Sequence, residues 1–76
     1  MLLKNFPIGS RITLFCARYI YTGDLVGFED GIIHLQNCGI VFETGPFSDG
    51  NWVDFQPFKK DHFICISAVE SFGHVK

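Results

Sequence analysis

Apolar and polar positions alternate with a period of two along most of this chain. From Arg11 to Ala17, the residues Ile12, Leu14 and Cys16 fall on one face and Thr13, Phe15 and Ala17 on the other. That is the periodicity of a strand, and a strand apolar on both faces suits a small, tightly curved barrel. Tyr19 to Tyr21 leads into a second strand, Thr22 to Glu29, with Gly23 and Gly27 inside it. Glycine weakens a flat strand but permits sharp bending. Asp30-Gly31 is a strong two-residue hairpin signal, because both residues tolerate positive φ. A third strand then runs from Ile32 to Gln36. Asn37-Cys38-Gly39 interrupts it, and alternation resumes at Ile40, Phe42 and Thr44. Two readings stay open here: a fourth strand, or the third continuing past a bulge.

Residues 45–60 break the pattern with Gly-Pro, Ser-Asp-Gly-Asn and Gln-Pro turn chemistry. This stretch is longer than most hairpin loops, and Trp52, Phe55 and Phe58 within it predict a loop that packs on something. His62 to Ile66 reads as a strand, and Val69 to Phe72 as a last short one. Leu2 to Gly9 predicts a short helical turn that Pro7 and Gly9 cut off. His74 to Lys76 is expected to fray. There is no internal repeat or linker, so residues 1–76 form one domain. The expected fold is all-β: a small, strongly bent barrel of five strands after a short N-terminal turn or helix.

Composition then adds a constraint. Hydrophobic residues make up 47% of a chain of 76 residues, and charged residues only 18%. A domain this small buries about 60% of its unfolded surface, so part of that apolar surface is expected to face a partner, most simply a second copy. A net charge of −2 argues against a protein that coats polyanions, without excluding a local site. No stretch reaches the roughly 18 apolar residues of a membrane span. Cys16, Cys38 and Cys65 form an odd set with no paired spacing, which points to reduced thiols and a cytoplasmic location.

The run from Tyr21 to Asn37 resembles the first sequence motif of the Sm-like family, including its bacterial host-factor (Hfq) branch. Gly23, Leu25, Phe28 and Glu29 occupy the motif's glycine, aliphatic and hydrophobic-acidic places, and Leu35-Gln36-Asn37 closes the strand as in the host-factor branch. Ile66 to Phe72 resembles the shorter second motif. On this resemblance, residues 9–44 hold the first motif region, 45–60 an insertion and 61–72 the second. It also extends to small Sm-like proteins of bacteria and phages. The resemblance implies an SH3-type barrel whose copies join edge to edge into a homo-oligomeric ring of about five to seven subunits. Ile64, Ile66, Val69 and Ser71 would then lie at the joining edges.

The resemblance also implies RNA binding on two turns facing the pore, here Glu29 to Ile33 and Ile66 to Ala68. Recognition of this type needs a stacking aromatic, an amide that reads base edges and cations for phosphate. Gly31, Ile33, Ile66 and Ser67 stand where those groups would be, and Glu29 and Asp30 repel phosphate. Asp30, Gly31 and Ser67 therefore remain weak candidates for contact with RNA. A second candidate surface is Arg18, Tyr19 and Tyr21, which carries both a cation and stacking rings; Lys59-Lys60 is a third. Cys16, Cys38, Cys65, His34 and His62 lack metal-ligand spacing, so no metal or other cofactor is expected. No nucleophile sits in a recognisable catalytic context, so no enzyme is expected either. Two functions follow as expectations: an Sm-like ring that binds RNA or other nucleic acid through a non-standard surface, or a ring acting as scaffold for protein partners.

Overall fold

The computed structural model describes residues 6–76. These residues form an antiparallel sheet of six strands: β1 Arg11–Cys16, β2 Ile20–Glu29, β3 Ile32–Glu43, β4 Asp54–Pro57, β5 His62–Cys65 and β6 Val69–Gly73. The order across the sheet is β4-β3-β2-β1-β6, with β5 also paired to β3. Among the described residues there is no α-helix, and a single 3-10 turn, Ile66–Ala68, joins β5 to β6.

The all-β reading holds, and two of its details are corrected. The strands number six rather than five, because residues 45–60 contain β4. The sheet also stays open. β5 and β6 follow each other through the 3-10 turn but do not pair, so among the described residues each has one partner strand and one free edge. The tight 3-10 turn explains this: three residues redirect the chain without bringing the two strands side by side.

The stretch around Cys38 resolves as one long strand with a bulge. β2 pairs with both halves of β3, with register shifts between Thr22 and Asp24 and again between Leu25 and Gly27. At the first shift Asn37 takes φ 49°, a left-handed conformation that asparagine tolerates better than most residues. On either side of it, β3 turns its outer side to a different partner, β5 along Ile32 to Leu35 and β4 along Gly39 to Glu43. At Gly39 only hydrogen fits, since a Cβ would lie 2.4 Å from the Gln56 carbonyl oxygen and 2.6 Å from the Phe55 ring. The β2–β3 turn behaves as its sequence predicts, with Asp30 at φ 51° and Gly31 at φ 76°.

The core lies inside the bend. Ile12 and Leu14 of β1, Leu25 of β2, Ile33, Leu35 and Cys38 of β3 and Ile64 of β5 pack together and are buried, while Val69 and Phe72 of β6 cover one side. Every strand except β4 contributes. On the other face of β1, Thr13 and Thr22 are buried side by side; the Thr13 hydroxyl donates to the Thr22 hydroxyl, which donates to the Ile12 carbonyl. That chain satisfies two polar groups that would otherwise be costly to bury.

The chain's two ends differ from expectation. Over the described part of the first segment, Pro7 to Ser10 makes a turn, with the Ser10 N–H donating to the Pro7 carbonyl. Backbone hydrogen bonds between Gly9 and Leu25 and between Leu25 and Ser10 tie that turn to β2. The remainder of the expected helical turn, Leu2 to Asn5, lies outside the described residues. The expected fraying of His74 to Lys76 is corrected. His74 stacks on Phe6 at 4.6 Å between centroids, and its Nδ1–H donates to the Arg11 carbonyl at 2.7 Å. Lys76 reaches into the 44–52 loop.

Candidate functional site

The free edge of β5 is the starting point. The Ile66 N–H donates to the Gly31 carbonyl at 2.8 Å, which makes Gly31 and Ile66 a hydrogen-bonded pair. Bonded and non-bonded pairs alternate along an antiparallel ladder. Ile64 and His62 therefore turn their backbone groups toward β3, while Phe63 and Cys65 turn theirs outward, off the sheet. The side chains alternate too. Ile64 is buried at 5% exposure, whereas Phe63 is 59% exposed and Cys65 is exposed. An unpartnered edge with an exposed aromatic is a template for another strand.

Beside that edge opens a cleft of about 450 Å³, lined by the turn between β1 and β2 (Cys16 to Tyr19), by Tyr21, by β5 and by Ala68. Its walls are mostly apolar. Arg18, Tyr19 and Tyr21, one candidate surface in the sequence, meet here with His62 and Phe63. Centroid distances are 6.2 Å from Tyr19 to Tyr21, 5.5 Å from Tyr21 to His62 and 4.3 Å from His62 to Phe58. The four rings thus form one run. Arg18 adjoins it at the Tyr19 end, and Lys59-Lys60 sits in the short link between Phe58 and His62. Partial burial pushes the Tyr21 hydroxyl above its ordinary pKa, with Cys16, Tyr19 and Cys38 adding to the effect. The phenol stays protonated at neutral pH and can donate.

The candidate surface at Asp30, Gly31 and Ser67 lies elsewhere. Asp30 and Ser67 are exposed at the tips of the β2–β3 turn and the 3-10 turn, which the Gly31–Ile66 hydrogen bond holds together. A shallower cleft of about 530 Å³ runs from this tip along Gly27, Phe28, Glu29, Ile32, His34 and Phe63. His34 stacks on Phe63 at 4.4 Å and bonds Asp61 at 2.7 Å, and Gln36 donates to the same carboxylate. The hydrogen bond from His34 holds the Asp61 carboxyl below its usual pKa. No cation faces Glu29 or Asp30 within ion-pair distance among the described residues. The tip therefore presents negative charge to any phosphate.

A comparison with protein-family models, with the curated proteins and with solved structures finds no match to this chain. The site must be read from its own residues.

Of the residues expected at joining edges, Ile64 has its side chain in the core and its backbone groups turned toward β3, so the outward backbone groups of that strand belong to Phe63 and Cys65. Ile66 and Val69 are half-buried against the core, and Ser71 is exposed on β6. The cysteines differ in character. Burial pushes the Cys38 thiol up to about 11 and also raises Cys16, to which the nearby Glu70 contributes. Both stay protonated at neutral pH, which makes them poor nucleophiles and poor ligands. Among the described residues no group of three or more His, Cys, Asp or Glu could hold a metal ion, and no helix is long and apolar enough to cross a membrane.

Phe63 is the site residue that the sequence does not single out, and His62 stands out there only among the groups without metal-ligand spacing. A terse strand of four residues hides which side chain faces out. Only the Gly31–Ile66 register shows it.

Proposed function

We propose that this protein is an Sm-like subunit that forms a homo-oligomeric ring and binds single-stranded nucleic acid, RNA in the first instance, through the aromatic run beside β5. The observation that carries this reading is the joining of Tyr19, Tyr21, His62 and Phe58 into one surface with Arg18 and Lys59-Lys60 adjacent. Stacking rings interleaved with cations suit a single strand, whose bases are free to stack and whose phosphates need neutralising. The ring is supported by the free edges of β5 and β6, which would pair between neighbouring copies. On this reading the protein acts by binding, in the cytoplasm, and is not an enzyme.

A second reading, a ring that serves as scaffold for protein partners, is favoured by one specific observation. Glu29 and Asp30, at the turn where the Sm-like resemblance implies RNA contact, have no cation within ion-pair distance among the described residues. Fluorescent oligo-U, oligo-A and mixed RNA titrated across a salt series, with the particle mass determined in parallel, separate the two. Three neutralised phosphates on a single strand give a slope of log affinity against log salt of about −2. A ring with micromolar affinity and such a slope supports the first reading. A ring that ignores RNA at low salt leaves the scaffold, and a monomer at tens of micromolar removes both.

A further inference from the structure

Lys76 carries the second inference, at a place remote from the aromatic run. Its ammonium donates to the backbone carbonyls of Thr44 and of Asn51, the latter at 3.1 Å. It also stands 4.4 Å from the Trp52 ring centroid and 5.7 Å from that of Phe47. Two carbonyl oxygens and two aromatic faces, all from one loop, converge on a single cation. Carbonyl acceptors take up N–H donors of an ammonium directionally, and aromatic faces attract the remaining charge. A primary alkylammonium satisfies both. A neutral amide or hydroxyl satisfies only the first, and a quaternary ammonium only the second.

Contacts that do not involve Lys76 also shape the loop. The Thr44 hydroxyl donates to the Gly45 carbonyl, Gly45 takes φ 65°, and the Val53 N–H returns to the Glu43 carbonyl. Phe47 is braced edge-on by Phe15 at 6.2 Å. A cleft of about 310 Å³, lined by Arg11, Gly50, Asn51, Trp52, Phe55 and Lys76, adjoins the ammonium. Lys76 thus forms one wall of that cleft while its ammonium meets the groups of the 44–52 loop.

We propose that the 44–52 loop is a receptor for a lysine side chain, with Lys76 as its resident occupant and a lysine of a protein partner as the competing one. A tethered occupant competes at an effective concentration in the millimolar range. A partner's lysine thus gains access where neighbouring contacts add to its affinity, or where Lys76 is withdrawn.

The test follows the single tryptophan, Trp52, through its indole N–H resonance in the full chain. Wild type, Lys76→Ala and Lys76→Met are each titrated with Nα-acetyl-lysine amide, with its uncharged Nε-acetylated form and with 1,5-diaminopentane. The methionine variant keeps an apolar stem over Trp52, so a folding defect in the alanine variant does not decide the outcome. The expected result is a saturable shift of Trp52 by acetyl-lysine amide in at least one variant, at least tenfold weaker in wild type, with no response to the Nε-acetylated form. Equal response to the charged and acetylated forms would overturn the proposal, as would no saturable shift in either variant. Tighter binding of the diamine would assign the loop to free polyamines, and the lysine proposal would fall.

Discussion

Asn37 and Asp24 hold the bend of the sheet between them. The Asn37 side-chain amide donates to Asp24 Oδ2 at 2.9 Å, while Arg11 Nη1 donates both to Asp24 Oδ1 at 3.2 Å and to the Asn37 carbonyl at 2.7 Å. Three strands thus meet at the one bulge that lets β3 serve β5 and β4 in turn. The Asn37 hydrogen bond, followed by Arg11, holds the Asp24 carboxyl below its ordinary pKa. Asp24→Ala is expected to destabilise the fold by about 1–2 kcal/mol, the lower range for a charged hydrogen bond discounted for solvent exposure. Asn37→Gly keeps the left-handed backbone and loses only the side-chain bond, so it should cost less. Urea unfolding of the three proteins tests the order. A larger loss in Asn37→Gly than in Asp24→Ala would assign the bend to backbone preference instead.

Acid should act through the same carboxylate. A depressed folded-state pKa means that Asp24 stabilises the fold fully above its unfolded value of about 3.9. That contribution fades as the pH falls through the lower folded value. Asp61, lowered by His34, has the same sign. Unfolding midpoints should therefore be flat from pH 7 down to about 5 with respect to these two groups and drop below about pH 4. The low-pH part of the drop should shrink in Asp24→Ala. An unchanged acid limb in that variant would remove Asp24 from the account.

Gly39 offers a cleaner steric test. A methyl group there meets the Gln56 carbonyl and the Phe55 ring inside contact distance, so β4 must move. Gly39→Ala is expected to cost about 1–3 kcal/mol as an overpacked site. Amide exchange should speed up at Phe55 and Gln56 but not at Ile64, because β5 pairs with the other half of β3. Faster exchange in both strands would show β3 to be a single cooperative unit.

These positions also show how far the chain could be read in advance. Asp30-Gly31 announced its turn, because few dipeptides tolerate two successive positive φ values, and the turn is as expected. The alternation of Ile12 and Leu14 announced β1 and its core face. Cys38 was ambiguous because a bulge and a turn use the same residue types. The Arg11–Asp24–Asn37 network that decides it joins residues 13 to 26 positions apart, which no local pattern encodes. β4 escaped notice for a similar reason: Asp54 to Pro57 has little strand character of its own and is recruited by the bare flank of β3 at Gly39. The aromatic run was half visible in Arg18, Tyr19 and Tyr21. Its other half is brought there by long-range bonds to β3: Phe58 by its N–H to the Cys38 carbonyl, and His62 by the pairing of β5 with Leu35 and its neighbours. Closure of the sheet is an expectation of both the bent-strand pattern and the family resemblance, and the open edge depends on the 3-10 turn.

The ring part of the proposed function has a test that spares the core. Cys65 sits at φ −71° with its N–H turned outward. Proline locks φ near −65° and removes that N–H. Cys65→Pro should therefore leave the subunit's stability within about 1 kcal/mol of wild type while removing a donor that an incoming strand needs. Mass determination should then show the ring replaced by monomer. A ring of unchanged mass would mean that β5 is not the joining edge.

The nucleic-acid part separates stacking from charge. Tyr19 is 43% exposed and stands at one end of the run, so Tyr19→Ala removes a stacking face at little cost to the core. A lost base–aromatic stack is worth about 1–3 kcal/mol, or roughly 5- to 150-fold in affinity for single-stranded RNA. The salt slope should not change, because no phosphate contact is lost. Arg18→Ala should do the opposite. Affinity should fall modestly, and the slope should become shallower by about 0.7, the share of one phosphate on a single strand. The two variants lie next to each other in the chain, so any general damage to the β1–β2 turn would move both quantities in both proteins. If Tyr19→Ala changes the slope while Arg18→Ala does not, the rings do not stack bases. If neither variant alters affinity, RNA does not use this face, and the aromatic run belongs to contacts between proteins.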